Sequence, residues 1–99
     1  MIIENDKVYT FKIANGDEII GKVVGQTETG IVLHQPLTII PSQQGIQLVP
    51  SLFTTELAVD VTINRNNIVM TAETREQVCD SYLESTTGIK PIRNSILVG

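Results

Sequence analysis

The sequence predicts a mainly β fold: a small, strongly bent, five-stranded antiparallel barrel with an extended hairpin between its third and fourth strands and one C-terminal α-helix. Three observations lead there. Apolar and polar residues alternate in short runs along most of the chain, turn residues separate those runs at regular spacing, and Gly21 interrupts a run where a strand must bend.

Lys7 to Ile13 alternates, with Tyr9, Phe11 and Ile13 on one side and Val8, Thr10 and Lys12 on the other, the period of a half-buried strand. Asn15-Gly16-Asp17 marks a tight turn, since Asn and Gly accept the positive φ that hairpins demand. Glu18 to Gly25 returns, and Gly21 within it is costly for a strand unless the strand bends or another backbone comes close. Glu28-Thr29-Gly30 forms the next turn, and Ile31 to Ile40 reads as a long third strand with Ile31, Leu33, Leu37 and Ile39 on one face. Ser42-Gln43-Gln44-Gly45 reverses it into Ile46 to Phe53, so that Pro36 and Pro50 fall almost opposite each other near the hairpin base. Proline cannot donate to a ladder, which assigns both to an edge or a kink.

Leu57, Val59, Val61 and Ile63 alternate with Ala58, Asp60 and Thr62 in the cleanest strand signal of the chain, followed by the polar knuckle Asn64 to Asn67 and the strand Ile68 to Ala72. Thr74 and Gln77 stand at capping-box spacing, and Val78, Cys79, Tyr82 and Leu83 make one stripe of a helix over about 74–87 that Gly88 ends. The tail 89–99 carries Pro91 and the apolar run Ile96-Leu97-Val98, and is expected to pack on the barrel or on a neighbouring subunit. Residues 1–99 read as a single domain, with the barrel over about 6–72 and no repeat or linker.

Composition narrows the function classes. A chain of 99 residues with 41% hydrophobic and 18% charged residues can hold one core, resting on Ile, Val and Leu because only two Tyr and two Phe are present. The N-terminus Met1-Ile2-Ile3-Glu4 lacks the basic start of a signal peptide and no run is long enough to span a bilayer, so a cytoplasmic location is expected. One cysteine, Cys79, makes neither an internal disulfide nor a zinc ribbon, and no cofactor or metal is expected. A net charge of −4 argues against broad nonspecific phosphate binding. The charge is uneven: Glu73, Glu76, Asp80 and Glu84 face Arg75 alone around the helix, while the tail carries Lys90 and Arg93 with no acid.

Two stretches carry a family resemblance. Asn15-Gly16-Asp17-Glu18-Ile19-Ile20-Gly21-Lys22-Val23 with Gly30-Ile31-Val32-Leu33, and then Ile63-Asn64-Arg65-Asn66-Asn67-Ile68-Val69, resemble the two motifs of the Sm-like (LSm) proteins. The pattern is similar to the small divergent Sm-like proteins of marine cyanophage type. The resemblance implies an SH3-type Sm-like barrel, assembly into a homo-oligomeric ring of about five to seven subunits, and single-stranded RNA or DNA bound near the ring pore. The chain departs from the family at its ligand positions. The loop before the third strand reads Gln26-Thr27-Glu28-Thr29-Gly30, without the family's Asp and with Gly30 where its Asn falls, and Arg65 stands one position beyond the family's basic residue. The family's helix is N-terminal, whereas this one is C-terminal.

The candidate nucleic-acid-binding residues are therefore Asn64, Arg65, Asn66 and Asn67, with Thr27 and Thr29 from the partner loop. Amides can read base edges and a guanidinium can stack on a base or clasp a phosphate. The plain alternative is a hairpin turn, for which Asn is favoured on its own. His34 is the only histidine, with no nucleophile at a recognised spacing, and reads as an edge-strand residue; Cys79 reads as a small apolar residue of the helix stripe. Glu56 and Asp60, four apart on one strand, cannot pair locally. No catalytic residues are expected, and the chain reads as a binding module rather than an enzyme. Two functions compete: an Sm-like ring that binds single-stranded nucleic acid, and a structural or adaptor ring, such as a phage assembly component, that binds another protein through the acidic helix face and the tail. An SH3-like peptide-docking monomer is disfavoured by the scarcity of aromatics.

Overall fold

Turn chemistry sets the first hairpin. Gly16 takes φ 96°, and the Asn15 side-chain oxygen accepts the Asp17 N–H at 2.9 Å. Strand β1 (Val8–Ile13) thereby folds onto β2 (Glu18–Gln26), with Phe11 opposite Ile19 and Tyr9 opposite Gly21. The structure, a computed structural model, describes residues 2–88; the apolar tail expected at 89–99 lies outside the described residues. There follow β3 (Gly30–Ser42), β4 (Gly45–Pro50), β5 (Asp60–Asn64), a 3-10 turn (Arg65–Asn67), β6 (Ile68–Glu73) and α1 (Glu76–Thr87).

All the pairings are antiparallel and form one sheet in the order β4-β3-β2-β1-β6, with β5 also on β3. The sheet is not closed into a barrel: β5 and β6 are joined by the 3-10 turn, and among the described residues no ladder connects them. The strand count corrects the five expected. Ile31 pairs with both Gln26 and Ile63, and Thr38 with both Ile19 and Val49. Strand β2 therefore occupies one edge of β3 throughout, while β4 and β5 follow one another along the other edge. Together they make one strand line, broken into two by the connection 51–59.

The face pattern expected for the third strand also needs correction. Ile31 and Leu33 pack with Tyr9, Phe11, Ile19 and Val23 in one buried cluster, whereas Leu37 joins Ile20 and Tyr82 in a second, against which Ile39 packs. The alternation breaks at Gln35, which takes the left-handed φ of 48°. The ladder pairs Ile20 with Leu37 but Lys22 with His34, so one extra residue of β3 is accommodated there. Such a bulge re-aims every side chain beyond it. Gly21 lies on β2 beside this irregularity, and a Cβ on it would stand 3.1 Å from Leu33 Cβ, so the glycine makes room for the Leu33 side chain.

The second cluster exists because α1 covers the opposite face of the sheet. Tyr82 is 1% exposed, and Val78 and Leu83 pack beside it, so three of the four stripe residues meet the sheet while Cys79 is half-buried. Gly88 closes the helix in the left-handed conformation, φ 75°, its N–H on Glu84 O, as the C-cap rule expects. The capping box does not form. Thr74 still runs beside β1, its hydroxyl 2.8 Å from that of Thr10, and Arg75 is the N-cap with no side-chain cap. No helix among the described residues is long and apolar enough to cross a membrane.

Candidate nucleic-acid interface

The knuckle is built from the end of β5, the 3-10 turn and the loop between β2 and β3. The ladder sets Gly30 opposite Asn64, and the chain can close there only because position 30 lacks a side chain: a Cβ would fall 2.7 Å from Thr62 Cγ2 and 3.1 Å from Ile63 O. Asn64 is extended, with φ −75° and ψ 133°, and Arg65-Asn66-Asn67 turn the chain into β6. Two of the three expected asparagines thus sit within the turn itself.

Arg65 ties the two loops together. Its backbone N–H donates to Thr29 O at 2.9 Å, its Nε to Thr27 O at 2.9 Å, and its Nη2 to Gln26 Oε1 at 3.1 Å. A guanidinium carries five N–H donors, so part of its capacity stays uncommitted. The loop is ordered from within: Thr27 N–H donates to Gly30 O at 2.9 Å, and Gly30 N–H donates to Thr27 Oγ1 at 2.9 Å. On the other flank, Ala14 N–H donates to Asn67 O at 2.8 Å and anchors the turn to the end of β1. The side chains of Asn64, Asn66, Asn67 and Thr29 stand exposed around this frame.

Six sequence-selected residues, from segments nearly forty positions apart, therefore share one polar surface. Their roles differ from those expected. Arg65, assigned to a base or phosphate, spends two of its donors inside the protein, and the Thr27 hydroxyl accepts from the backbone. Gln26 and Ala14, which sequence reasoning passed over, complete the frame. Nothing in either residue's chemistry distinguishes them, because only the pairing of β3 with β5 brings Gln26 near position 65.

The structure also joins two residues read as unrelated. His34 Nδ1 lies 2.7 Å from Asp60 Oδ1, across the paired positions of β3 and β5. Asp60 thus has a partner, but from another strand rather than from Glu56. The neighbouring carbonyl, His34 O, accepts the Tyr82 hydroxyl, which in turn accepts the Lys22 N–H at 3.1 Å. Among the described residues no group of three or more His, Cys, Asp or Glu side chains could hold a metal ion. The chain matches no family model and no curated protein.

Proposed function

We propose that the chain is an Sm-like subunit of a homo-oligomeric ring and binds single-stranded RNA or DNA through the surface formed by Asn64 to Asn67 with Thr27 and Thr29. The observation that carries this reading is the convergence of the β2–β3 loop and the knuckle, held by the three hydrogen bonds from Arg65. Amides and hydroxyls on a rigid frame suit the Watson–Crick edges of unstacked bases. Repetition around a ring multiplies the charge of each Arg65, whose acceptors Thr27 O and Gln26 Oε1 are neutral, into a positive collar despite a chain total of −4.

Two features support the finer barrel and ring. Strands β5 and β6 are consecutive, so the order β6-β1-β2-β3-β5 returns on itself through the 3-10 turn, in the manner of a strongly bent barrel. The outer edges of β4 and β6 end the sheet, and Ile46 on one and Val69 and Met70 on the other are exposed apolar residues. Open edges invite pairing, and joining β4 of one copy to β6 of the next removes both.

Fluorescence anisotropy with short single-stranded RNA and DNA tests the binding. Affinity is expected to fall as salt rises. Asn66→Ala with Asn67→Ala should weaken it about tenfold or more, the equivalent of about 1.4 kcal/mol, and Arg65→Ala should abolish it by removing both charge and frame. If the wild-type protein retains no oligonucleotide at low salt, the nucleic-acid reading fails. A protein-binding adaptor is the second reading, and the internal use of the Arg65 guanidinium favours it.

A further inference from the structure

The chain before β1 is tied to the knuckle. Asp6 takes the left-handed φ of 71°, which Asp tolerates better than most residues. Its N–H donates to Val23 O at 2.6 Å, and the Val23 N–H donates to Lys7 O at 2.9 Å. The Glu4 N–H donates to the Tyr9 hydroxyl at 2.8 Å. Residues 3–7 are thereby laid as a strap beside β2, and Ile3 and Asn5 meet its last residue, Gln26.

Gln26 joins the strap to the knuckle, and its chemistry fixes the direction of each amide. Arg65 Nη2 can only donate, at 3.1 Å, and Ile3 O can only accept, at 2.8 Å, so Gln26 presents Oε1 to the first and Nε2 to the second. Nε2 has a second hydrogen, and the Asn5 atom that receives it, 3.4 Å away, is then Oδ1. Gln26 is thus committed on both ends of its amide. Asn5 is exposed, and among the described residues its Nδ2 has no partner. Its donors face away from Gln26 while its acceptor stays on it, one side-chain amide from the Arg65 guanidinium.

Charge decides which part of a nucleotide fits there. Glu4 and Asp6 of the strap and Glu28 of the β2–β3 loop are exposed acids. Lys7, the strap's one base, is shared between Glu4 at 3.8 Å and Glu73 at 3.4 Å. Such surroundings repel a phosphate but not a neutral base. Among purines, guanine shows two acceptors, N7 and O6, on one edge, whereas adenine sets an N6 amino donor beside N7 and needs an acceptor opposite it. The Asn5 amide, with its acceptor held by Gln26, matches the guanine edge.

We propose that Asn5 reads a base in a second subsite beside the knuckle, one that takes guanine in preference to adenine, and that Gln26 is the positioning residue that sets the direction of its amide. The inference rests on the nucleic-acid reading and adds to it a base preference and a role for the N-terminal strap. Binding of uridine or thymidine pentamers, as RNA and as DNA, that carry one guanine or one adenine tests it. The wild-type protein is expected to hold the guanine form about fivefold more tightly, the low end for one good base contact. Asn5→Ala should bring that ratio to one by weakening the guanine form alone. Gln26→Glu keeps an acceptor for Arg65 but loses the donors to Ile3 O and Asn5 Oδ1, so the Asn5 amide is free to turn and the ratio should again approach one. Asn5 and Gln26 are both exposed, so neither change removes a core contact. A ratio of one in the wild-type protein, or a preference that survives Asn5→Ala, overturns the subsite and leaves binding at the knuckle standing. Retention of none of the pentamers overturns the nucleic-acid reading, and the subsite with it.

Discussion

Replacing Tyr82 with alanine is expected to destabilise the protein by about 3–5 kcal/mol in urea unfolding, the range for a large aromatic removed from a core. Tyr82 is 1% exposed and is the one fully buried residue that the helix contributes to the cluster with Ile20 and Leu37. Losing it removes the main apolar contact that holds α1 on the sheet. Tyr82→Phe keeps that packing and isolates the hydroxyl, which donates to His34 O and accepts from Lys22 N–H. Leaving those backbone groups unpaired is expected to cost about 1–3 kcal/mol. A cost below about 1 kcal/mol for the alanine variant would show that the helix contributes little to the core.

The same hydroxyl predicts a pH dependence. Burial pushes the Tyr82 phenol above its ordinary value of 10.0, with Cys79 and Asp60 adding to the rise and the Lys22 N–H opposing it. The folded state thus holds this proton more tightly than the unfolded chain does. The stability it contributes is complete below about pH 10 and is lost as pH climbs through the folded value. Wild-type stability should fall in that alkaline range more steeply than that of Tyr82→Phe, which has no such proton to lose.

Gly30→Ala is the second large effect, expected at about 1–3 kcal/mol through overpacking. The added methyl would meet Thr62 Cγ2 at 2.7 Å and the Ile63 carbonyl at 3.1 Å. The first clash is with a side chain and the second with backbone, so β5 must shift away from β3 and carry the knuckle with it. Adding Thr62→Ser removes the Cγ2 and should recover part of the loss, while the contact with Ile63 O persists. No recovery in the double variant would place the strain elsewhere than at the β3–β5 crossing.

These two positions show what could be read from the sequence and what could not. Tyr82 was legible as a helix-stripe residue at helical spacing, and Gly88 as its cap, because both signals are local. The strands around Tyr9, Phe11, Val61 and Ile63 were legible for the same reason, but the alternation from Leu57 overran the strand: β5 begins at Asp60, and Leu57 to Val59 belong to the connection before it. Three features depended on long-range pairing and escaped. Gln35 flips the faces of β3, so Leu33 and Leu37 share a parity in sequence but not a cluster. Thr74 spends its hydroxyl on Thr10 rather than on the helix start. The connection 51–59 is not a regular strand, so nothing in the sequence set His34 opposite Asp60 or Gln26 beside Arg65. The candidate site was legible as a list of residues, while the inward use of Arg65 was not, since a guanidinium in a turn reads equally well as ligand or clamp.

The proposed ring of Sm-like subunits would close through the free edges of β4 and β6. Sedimentation velocity at micromolar protein tests it most directly. A ring should give one sharp boundary at about five to seven copies of the 10.9 kDa chain, collapsing to single chains when Val69→Lys and Met70→Glu place charges on the edge strand. A wild-type protein that sediments as a 10.9 kDa monomer would contradict it.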